Sequence, residues 1–450
     1  MRDLAARLRD IVRQNPPPAR PAARELTYVP DVDGGHEPDV VAGRLGGTVH
    51  ESDHGRCVVI ERAWNGDDWH GHGRVGSMTL APDAPLGLFD PKLSRLEDWA
   101  ARVVFFDIET TGLSGGAGTL AFLAGCGWFE GDRFVVRQFF LNGPSGERAM
   151  LDLLADIFDR ASLLVTYNGR TFDVPTMETR WAFHRRPSPT DGLPHFDMLP
   201  PARRLWGWRE DRGQREEGRA ARDCSLTALE RSVLGFHRLG DVPGFEIPVR
   251  YFQFLRTGDV GAISGVLEHN RLDVVSLAAV TARAMEMARV GPEVCREDRE
   301  QIGLGRLYER ADDVERAIRA YRLAASGDRD VRVVALSRLA ELLRRADRHE
   351  EAAVAWEQVV NDAVTNRSVL SRLERRAVEA LAIHLEHRAR DPIQAKRYAE
   401  LLRRDAAGRH RAAAEHRLGR LDRKTRASED TTGGSSAALL SFDQAPGPKS

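Results

Sequence analysis

Four acidic residues and one histidine in the middle of the chain have the types and spacing of a metal site. Asp107 and Glu109 lie two residues apart in "RVVFFDIE", where an apolar run precedes them. Because strand side chains alternate between faces, these two carboxylates point to the same side. Carboxylates at the end of an apolar strand lose hydration unless their charge is compensated. Mg²⁺ and Mn²⁺ favour oxygen ligands and could compensate it.

Two more acids and the histidine follow along the chain. Asp173 comes after a second apolar run, in "TYNGRTFDVP", and Asp273 lies in the helical pattern "EHNRLDVVSL". His269 precedes Asp273 by four residues, so both project from one helix face. This set suits phosphoryl transfer with two metal ions about 3.5–4 Å apart, and the histidine can take the proton of the attacking water. A surface position or a helix cap is the simpler interpretation for any one acid, but not for all four.

The elements around these residues predict an α/β mixed sheet flanked by helices. "RVVFFDIE", "TLAFLAGCGWF" and "RFVVRQFFL" read as three strands, and a turn at 130–132 makes the last two a hairpin. A helical pattern, "ERAMLDLLADIFDR", then leads to a fourth strand at Leu163–Tyr167. A helical crossover to a fourth strand after an antiparallel hairpin is how such a sheet is built.

Three short motifs resemble those of a known enzyme superfamily. "FFDIETTGL", "YNGRTFD" and "HNRLD" are similar to the first, second and third motifs of the DEDD 3′–5′ exonucleases. The longer run "DIETTGLSGGAGTLAFLAG", with "HFDML" and "HNRLDVVSL", resembles the YprB-type ribonuclease-H-like proteins. The resemblance covers about residues 101–284. It implies a ribonuclease-H-like fold and the use of two divalent cations, Mg²⁺ or Mn²⁺.

The resemblance also implies roles for individual residues. It makes the four carboxylates the metal ligands: Asp107, Glu109, Asp173 and Asp273. By the same resemblance, three residues near the end of the first motif, Thr110, Thr111 and Gly112, would hold the terminal nucleotide. Asn168 would support the second motif. Asp197, in "HFDML", would lie near the pocket without being a core ligand.

One departure concerns the histidine. The DEDD enzymes carry histidine five residues before the last aspartate, or tyrosine four before it. Here His269 is at four and Glu268 at five. One residue is about 100° of rotation on a helix, so His269 occupies the tyrosine's position. It can act as general base, position water or hold the helix.

The C-terminal third has an internal repeat. Five residues fall at tetratricopeptide spacings: Leu304, Gly305, Tyr308, Ala317 and Tyr321. The same positions recur thirty-five residues later as Leu339, Ala340, Leu343, Ala352 and Trp356, and a third unit has Leu381, Ala382, Leu385, Ala395 and Ala399. Small residues let paired helices approach closely, and large ones fill the gaps between repeats. The pattern predicts an all-α tetratricopeptide-like domain that recruits a protein partner.

These patterns divide the chain into five segments. They are an N-terminal helix with a Pro-rich linker (1–25), a small β-rich accessory region (26–100), the ribonuclease-H-like domain (101–290), the helical repeats (296–425) and a disordered tail (426–450). The arginine-rich stretch 203–222, which contains Trp206, reads either as a solvated loop or as a flap that binds a nucleic-acid strand.

Composition excludes several classes of protein. The formal net charge is −1, which rules out a histone-like polycation, and four cysteines rule out a disulfide scaffold. We expect a cytoplasmic protein, because the sequence has no signal-peptide pattern and no apolar run long enough for a membrane span. The leading hypothesis is a metal-dependent nuclease, a 3′–5′ exonuclease on single-stranded DNA or RNA ends. The alternatives are a non-catalytic nucleic-acid or protein scaffold and a phosphodiesterase on short oligonucleotides.

Overall fold

The computed structural model describes residues 36–112, 118–207, 223–365, 369–405 and 408–437. The N-terminal helix and Pro-rich linker predicted at 1–25 lie outside these residues, and so do 208–222 of the arginine-rich stretch and 438–450 of the predicted tail. In the described part of the chain, none of the helices combines the length and apolar character needed to cross a bilayer.

A seven-stranded mixed sheet forms the larger part of the fold and confirms the predicted α/β architecture. Its spatial order is β1-β2-β7-β6-β5-β8-β9. The strands are β1 (Thr48–Ser52), β2 (Gly55–Trp64), β5 (Val103–Thr110), β6 (Ala121–Glu130), β7 (Arg133–Phe140), β8 (Leu163–Thr166) and β9 (His195–Asp197); β3 (Trp69–His70) and β4 (Gly73–Arg74) form a separate hairpin. Strand β5 pairs antiparallel with β6 and parallel with β8.

Helices cover both faces of the sheet. They are α1 (Pro38–Leu45), α2 (Leu86–Phe89), α3 (Glu147–Phe158), α4 (Asp173–Phe183), α5 (Leu199–Leu205), α6 (Leu226–Leu229), α7 (Ile247–Thr257) and α8 (Val260–Val290). The first half of strand β5 is apolar because both its faces are buried: Phe105 belongs to one core cluster, and Phe106 and, further along, Ile108 belong to the other. Asp107 and Glu109 therefore lie on the same face of β5 as Phe105. Phe105 belongs to the core cluster that also contains Val274 of α8.

The region predicted as a β-rich accessory segment at 26–100 is not separate from the sheet. Its two strands, β1 and β2, extend the sheet because β2 pairs antiparallel with β7, with Val58 opposite Phe140. Buried Val58 and Ile60 join the same core as Phe140. The strand predicted in "RCVVIERAW" is β2, but its apolar residues cover the ribonuclease-H-like core instead of forming one of their own.

Two glycines let α8 lie directly on the sheet. A Cβ on Gly125 of β6 would stand 2.4 Å from Oδ1 of Asn270, and one on Gly127 would stand 2.5 Å from Cγ1 of Val274. Residues two apart on a strand share a face, so this pair forms a smooth track beneath the helix. Because α8 packs this closely on β6, it holds Asp273 close to the sheet.

Helices alone make up the C-terminal region. They are α9 (Asp298–Arg310), α10 (Val314–Ala324), α11 (Arg329–Arg345), α12 (His349–Thr365), α13 (Arg372–His387), α14 (Pro392–Asp405) and α15 (Gly408–Ala437). A Cβ on Gly305 of α9 would lie 2.6 Å from the Tyr321 ring of α10, so glycine permits this helix pair to close. The predicted disordered tail begins as helix, because α15 continues to Ala437. Adding residues to an existing helix needs no new nucleus and no apolar content.

Candidate metal centre

Strand β5 delivers the first two carboxylates at its end. Asp107 lies opposite Gly125 of β6, and the pairing register shifts between Glu109 and Thr110. Both acids are partly buried on the face that α8 covers. The strand therefore brings two like charges into a poorly hydrated corner, as the alternation in "FFDIE" predicts.

Asn270 of α8 fixes the position of Asp107. This asparagine is fully buried, and its Nδ2 donates to Oδ2 of Asp107 at 2.9 Å and to the Asp107 carbonyl at 3.2 Å. Its Oδ1 accepts from Nε2 of Gln138 at 2.9 Å. The sequence reasoning missed this residue, although the Gly125 and Gly127 pair signals a close backbone approach at that point.

His269 and Asp273 face Glu109 across the end of the sheet. Nε2 of His269 lies 3.4 Å from Oδ2 of Asp273 and 4.0 Å from Oε1 of Glu109. One ligand atom from each of the three side chains falls within 4.8 Å of the others. Among the residues that the structure describes, no group with Asp107 or Asp173 meets this limit. The three side chains thus form the tightest part of the predicted site.

Asp173 and its loop complete the acidic cluster. Asp173 is the first residue of α4, is buried, and its carboxylate lies near the backbone of Ile108 in β5. Asp197 of β9 accepts from the backbone N–H groups of Asn168 at 2.9 Å and Arg170 at 3.2 Å. Asp197 therefore shapes the loop that positions Asp173.

The three residues predicted to hold the terminal nucleotide lie at the end of β5 and just after it, and Asn168, predicted to support the second motif, lies in the loop before Asp173. Oγ1 of Thr110 donates to the carbonyl of Gly112 at 2.7 Å, and Oγ1 of Thr111 accepts from the N–H of Leu120 at 3.0 Å. Asn168 is exposed, has a positive φ of 66°, and its Oδ1 accepts from a neighbouring threonine. These bonds define the shape of the loops, and contact with a nucleotide stays a prediction.

A loop that the sequence reasoning did not single out supplies two more groups. Oδ1 of Asp241 lies 2.7 Å from Nδ1 of His269. Arg238, whose side chain is 2% exposed, donates to Oδ1 of Asp273 and, through Nε, to Oε2 of Glu230 at 2.8 Å. Glu230 begins one turn of π-helix, Glu230–Leu234, that ends at Gly235 with a positive φ. No motif in this segment signals its place beside Asp273.

Three carboxylates of the site, Asp107, Glu109 and Asp173, have raised pKa values. Burial, followed by the charge of Asp273, raises the pKa of both Asp107 and Glu109 well above the ordinary values. Burial also raises the pKa of Asp173 to about 7, and Asp197 and Asp273 add to the effect. A divalent cation would reverse these shifts, because it supplies the positive charge that the pocket's own residues do not fully provide. The oxygen donors and one imidazole fit such an ion.

Trp206 does not belong to a strand-binding flap. It is 5% exposed, and its Nε1 donates to Oε1 of Glu300 in α9 at 3.0 Å. The tryptophan instead joins the ribonuclease-H-like part to the first C-terminal helix, because an indole ring buries a large apolar area while its N–H finds a partner.

A mixed sheet whose central strand ends in two carboxylates, facing further acids from a covering helix and a neighbouring loop, defines a ribonuclease-H-like protein. Comparisons agree with this class. The family model described as RNase_H superfamily matches residues 104–285. A protein of Bacillus subtilis (strain 168) described as "Uncharacterized protein YprB" is 33% identical over 330 residues, which are 72% of this chain and 75% of that protein. The chain belongs to the same family as YprB, within the ribonuclease H superfamily.

Proposed function

We propose that this protein is a divalent-metal-dependent nuclease, and specifically a 3′–5′ exonuclease that hydrolyses phosphodiester bonds of DNA or RNA. Membership of the ribonuclease H superfamily suggests a nuclease-type activity. The observation that carries the proposal is the convergence of four carboxylates at the end of β5, where burial and the charges of neighbouring acids raise the pKa of three of them, Asp107, Glu109 and Asp173. Groups that destabilise one another in this way are characteristic of functional sites.

The four acids would hold two cations, Mg²⁺ or Mn²⁺. Such ions supply a hydroxide nucleophile and charge stabilisation at the scissile phosphate. Glu109 and Asp273 present oxygens close to one another, and Asp107 is kept in place by Asn270. Asp173 reaches the cluster from the start of α4, where its carboxylate lies near the Ile108 backbone of β5.

The loops beside the acids would receive the 3′ end of a single strand. The turn of Thr110, Thr111 and Gly112 follows directly from β5, and Asn168 begins the loop that leads to Asp173. In this position both loops border the phosphate site, where backbone and hydroxyl groups can bind a nucleotide. We assign all four residues to substrate binding: Thr110, Thr111 and Gly112 would hold the terminal nucleotide, and Asn168 would support the second motif.

The C-terminal helices would recruit a protein partner. The recurring small and large residues lie in consecutive helices and are largely buried there, as Gly305 against Tyr321 illustrates. This arrangement favours the tetratricopeptide-like interpretation, in which stacked helix pairs offer a binding surface. A cytoplasmic location fits the proposed substrates.

One observation favours a second function, a scaffold that binds nucleic acid without cleaving it. Arg238 already gives Asp273 a cationic partner inside the protein. A site with an internal cation needs less help from metal, so the scaffold predicts that Mn²⁺ does not bind. Calorimetric titration with Mn²⁺ separates the two functions.

The proposal is tested with a panel of 3′- and 5′-labelled single- and double-stranded DNA and RNA, including short oligonucleotides, with Mg²⁺ or Mn²⁺. We expect stepwise shortening from the 3′ end and its loss in Asp107→Ala. Asp132→Ala, at the exposed turn between β6 and β7, is the matched control and should keep the wild-type rate. A wild-type protein that leaves every substrate of the panel intact with both metals would contradict the proposal.

A further inference from the structure

The two ring nitrogens of His269 have different partners. Nδ1 lies 2.7 Å from Oδ1 of Asp241, a distance typical of a charge-assisted hydrogen bond, and 3.3 Å from Nη1 of Arg238. The Asp241 contact is much the shorter of the two, and Nη1 of Arg238 also lies 3.5 Å from Oδ1 of Asp241, so the geometry assigns the Nδ1 proton to the bond with Asp241. Nε2 points to the opposite side, toward Asp273 and Glu109. When Nδ1–H donates to a carboxylate, the lone pair of a neutral imidazole is on Nε2. The Nε2 lone pair thus faces the carboxylates of Asp273 and Glu109. Because ionised carboxylates also only accept hydrogen bonds, these three groups can be joined only by a proton or a cation.

The distances fit one ion shared by three side chains. Bonds of about 2.1 Å to an octahedral ion put neighbouring donors about 3 Å apart and opposite donors about 4 Å apart. Nε2 of His269 lies 3.4 Å from Oδ2 of Asp273 and 4.0 Å from Oε1 of Glu109. An ion can therefore sit between them with only small side-chain movements.

Two residues of the loop after the π-helical turn, Asp241 and Arg238, contact the atoms of His269 and Asp273 that face away from the proposed ion. Asp241 also accepts from its neighbouring backbone N–H, that of Val242, at 3.0 Å, which fixes the carboxylate that orients His269. Arg238 occupies Oδ1 of Asp273, so that Oδ2 is the oxygen on the His269 side. Arg238 is itself secured by Glu230. With these contacts, His269 directs Nε2 and Asp273 directs Oδ2 to the same point.

We propose that His269 is a metal ligand, oriented by Asp241, and that its nitrogen makes this position prefer Mn²⁺ over Mg²⁺. A histidine ligand that donates its other N–H to a carboxylate is a recurring arrangement in metal sites. Mg²⁺ favours all-oxygen surroundings, whereas imidazole suits transition metals better. The inference concerns the ion site of the proposed function and rests on it, and it replaces the role of general base for His269.

The two roles of His269 differ in what touches the ion. A general base contacts the attacking water and leaves the ion with oxygen donors only. A ligand places nitrogen in direct contact with the ion. Pulsed electron paramagnetic resonance of Mn²⁺ detects a coordinated imidazole by the coupling of its ¹⁴N nucleus, independently of any enzymatic activity.

The experiment uses the full chain, freed of metal with EDTA and loaded with one equivalent of Mn²⁺. We expect ¹⁴N coupling in the wild type, its replacement by ¹⁵N coupling after labelling with ¹⁵N-histidine, and its absence in His269→Ala. Glu268→Gln is the matched control, because Glu268 is next to His269 but pairs with Arg271. That variant should keep the coupling. Mn²⁺ that binds without nitrogen coupling overturns this inference alone, whereas no binding of Mn²⁺ overturns the proposed function as well.

The affinities of variants for Mn²⁺ and Mg²⁺ test whether Asp241 orients His269 as a ligand. We expect Asp241→Ala to weaken Mn²⁺ binding about 10–100-fold, as loss of a ligand's hydrogen-bond partner does in other sites. Asp241→Asn keeps an acceptor oxygen and should recover part of that loss. Binding of Mg²⁺ should weaken less than that of Mn²⁺ in His269→Ala. Equal loss for both ions, or an unchanged affinity in Asp241→Ala with the fold intact by circular dichroism, would contradict the proposal.

Discussion

Carboxylates of the same chemical type behave in opposite ways in two regions of this protein. At the end of β5, burial raises the pKa of Asp173 to about 7. In the C-terminal helices, the hydrogen bond from Arg420 lowers the pKa of Glu386 to about 2, and Lys424 adds to the effect. Both side chains are buried, Glu386 completely. At Asp173 burial is the largest cause and neighbouring acids add to it, whereas at Glu386 the hydrogen bonds from two cations outweigh burial.

In the proposed function, the difference separates carboxylates that bind metal from carboxylates that stabilise the fold. Asp107, Glu109 and Asp173 oppose folding at neutral pH as long as no cation is bound, because burial and the neighbouring acids raise the energy of their charged forms. The ion pairs of the helical region hold α15 against α13, through Glu386 of α13 and Arg420 and Lys424 of α15. Stability and activity should therefore respond differently to neutralisation in the two regions.

The largest effect is expected on activity. Asp107→Asn removes a charged ligand but keeps an oxygen that can accept from Asn270, so the fold should survive. We expect the initial rate of nucleotide release to fall by at least about 10³-fold. Release of labelled nucleotide with Mn²⁺, next to the exposed Asp132→Ala, measures this. A variant with more than a tenth of the wild-type rate would remove Asp107 from the ligands.

The next effect is a gain of stability in the metal-free protein. The raised pKa of Asp173 means that the folded state binds more protons than the unfolded state between about pH 4 and pH 7. Its contribution to the free energy of unfolding therefore falls as pH rises through this window. Asp173→Asn should be more stable than wild type at pH 8 by about 1–4 kcal/mol, and little changed at pH 4.

Denaturant unfolding of both proteins in EDTA, at pH 4, 6 and 8, checks the sign. Adding Mn²⁺ should stabilise the wild type more than the variant, because only the wild type keeps all four acids. If Asp173→Asn lost stability in EDTA at pH 8, the carboxylate would be favourably paired, and the contrast between the two regions would disappear.

Neutralising a carboxylate in the helical region should lower the free energy of unfolding instead of raising it. The lowered pKa of Glu386 means that its stabilising contribution is complete above about pH 4.5 and is lost as pH falls toward 2. Glu386→Gln leaves Arg420 and Lys424 without their buried partner and should lower the free energy of unfolding by about 1–3 kcal/mol at pH 7. Glu357→Gln, at an exposed position of α12, is the matched control. The rate of nucleotide release should not change.

The last comparison concerns two glycines, one in each region. Gly125→Ala presses a methyl group against Oδ1 of Asn270, and Gly305→Ala presses one against the ring of Tyr321. Both should cost about 1–3 kcal/mol of stability because the neighbours must shift. Only Gly125→Ala should also weaken Mn²⁺ binding, since it displaces the helix that carries His269 and Asp273. Equal Mn²⁺ affinities of the two variants would show that the position of α8 does not control the site.

The sequence was informative where local pattern decides the structure. The alternation in "FFDIE" placed Asp107 and Glu109 on one face, and helical spacing placed His269 beside Asp273. Each of these relations depends on a few neighbouring residues. The helical character of α9 and α10 could be predicted for the same reason, and their assignment to a tetratricopeptide-like repeat stays a prediction.

Other features depend on distant partners and left no local signal. Arg238 and Asp241 reach the site only because Glu230 holds the loop and because His72 packs against Gly235 at its base. Likewise, β2 shows a strand pattern, but its place in the sheet depends on the unpaired edge of β7. Pairing across long separations is set by tertiary packing, which single-sequence patterns do not encode.

Anomalous diffraction from crystals soaked in Mn²⁺ tests the central claim most directly. The account predicts an anomalous peak within bonding distance of Glu109 and Asp273, on the side away from Arg238. Its absence at saturating Mn²⁺, with these side chains ordered as they are without metal, would contradict the claim that this corner of the sheet binds a cation.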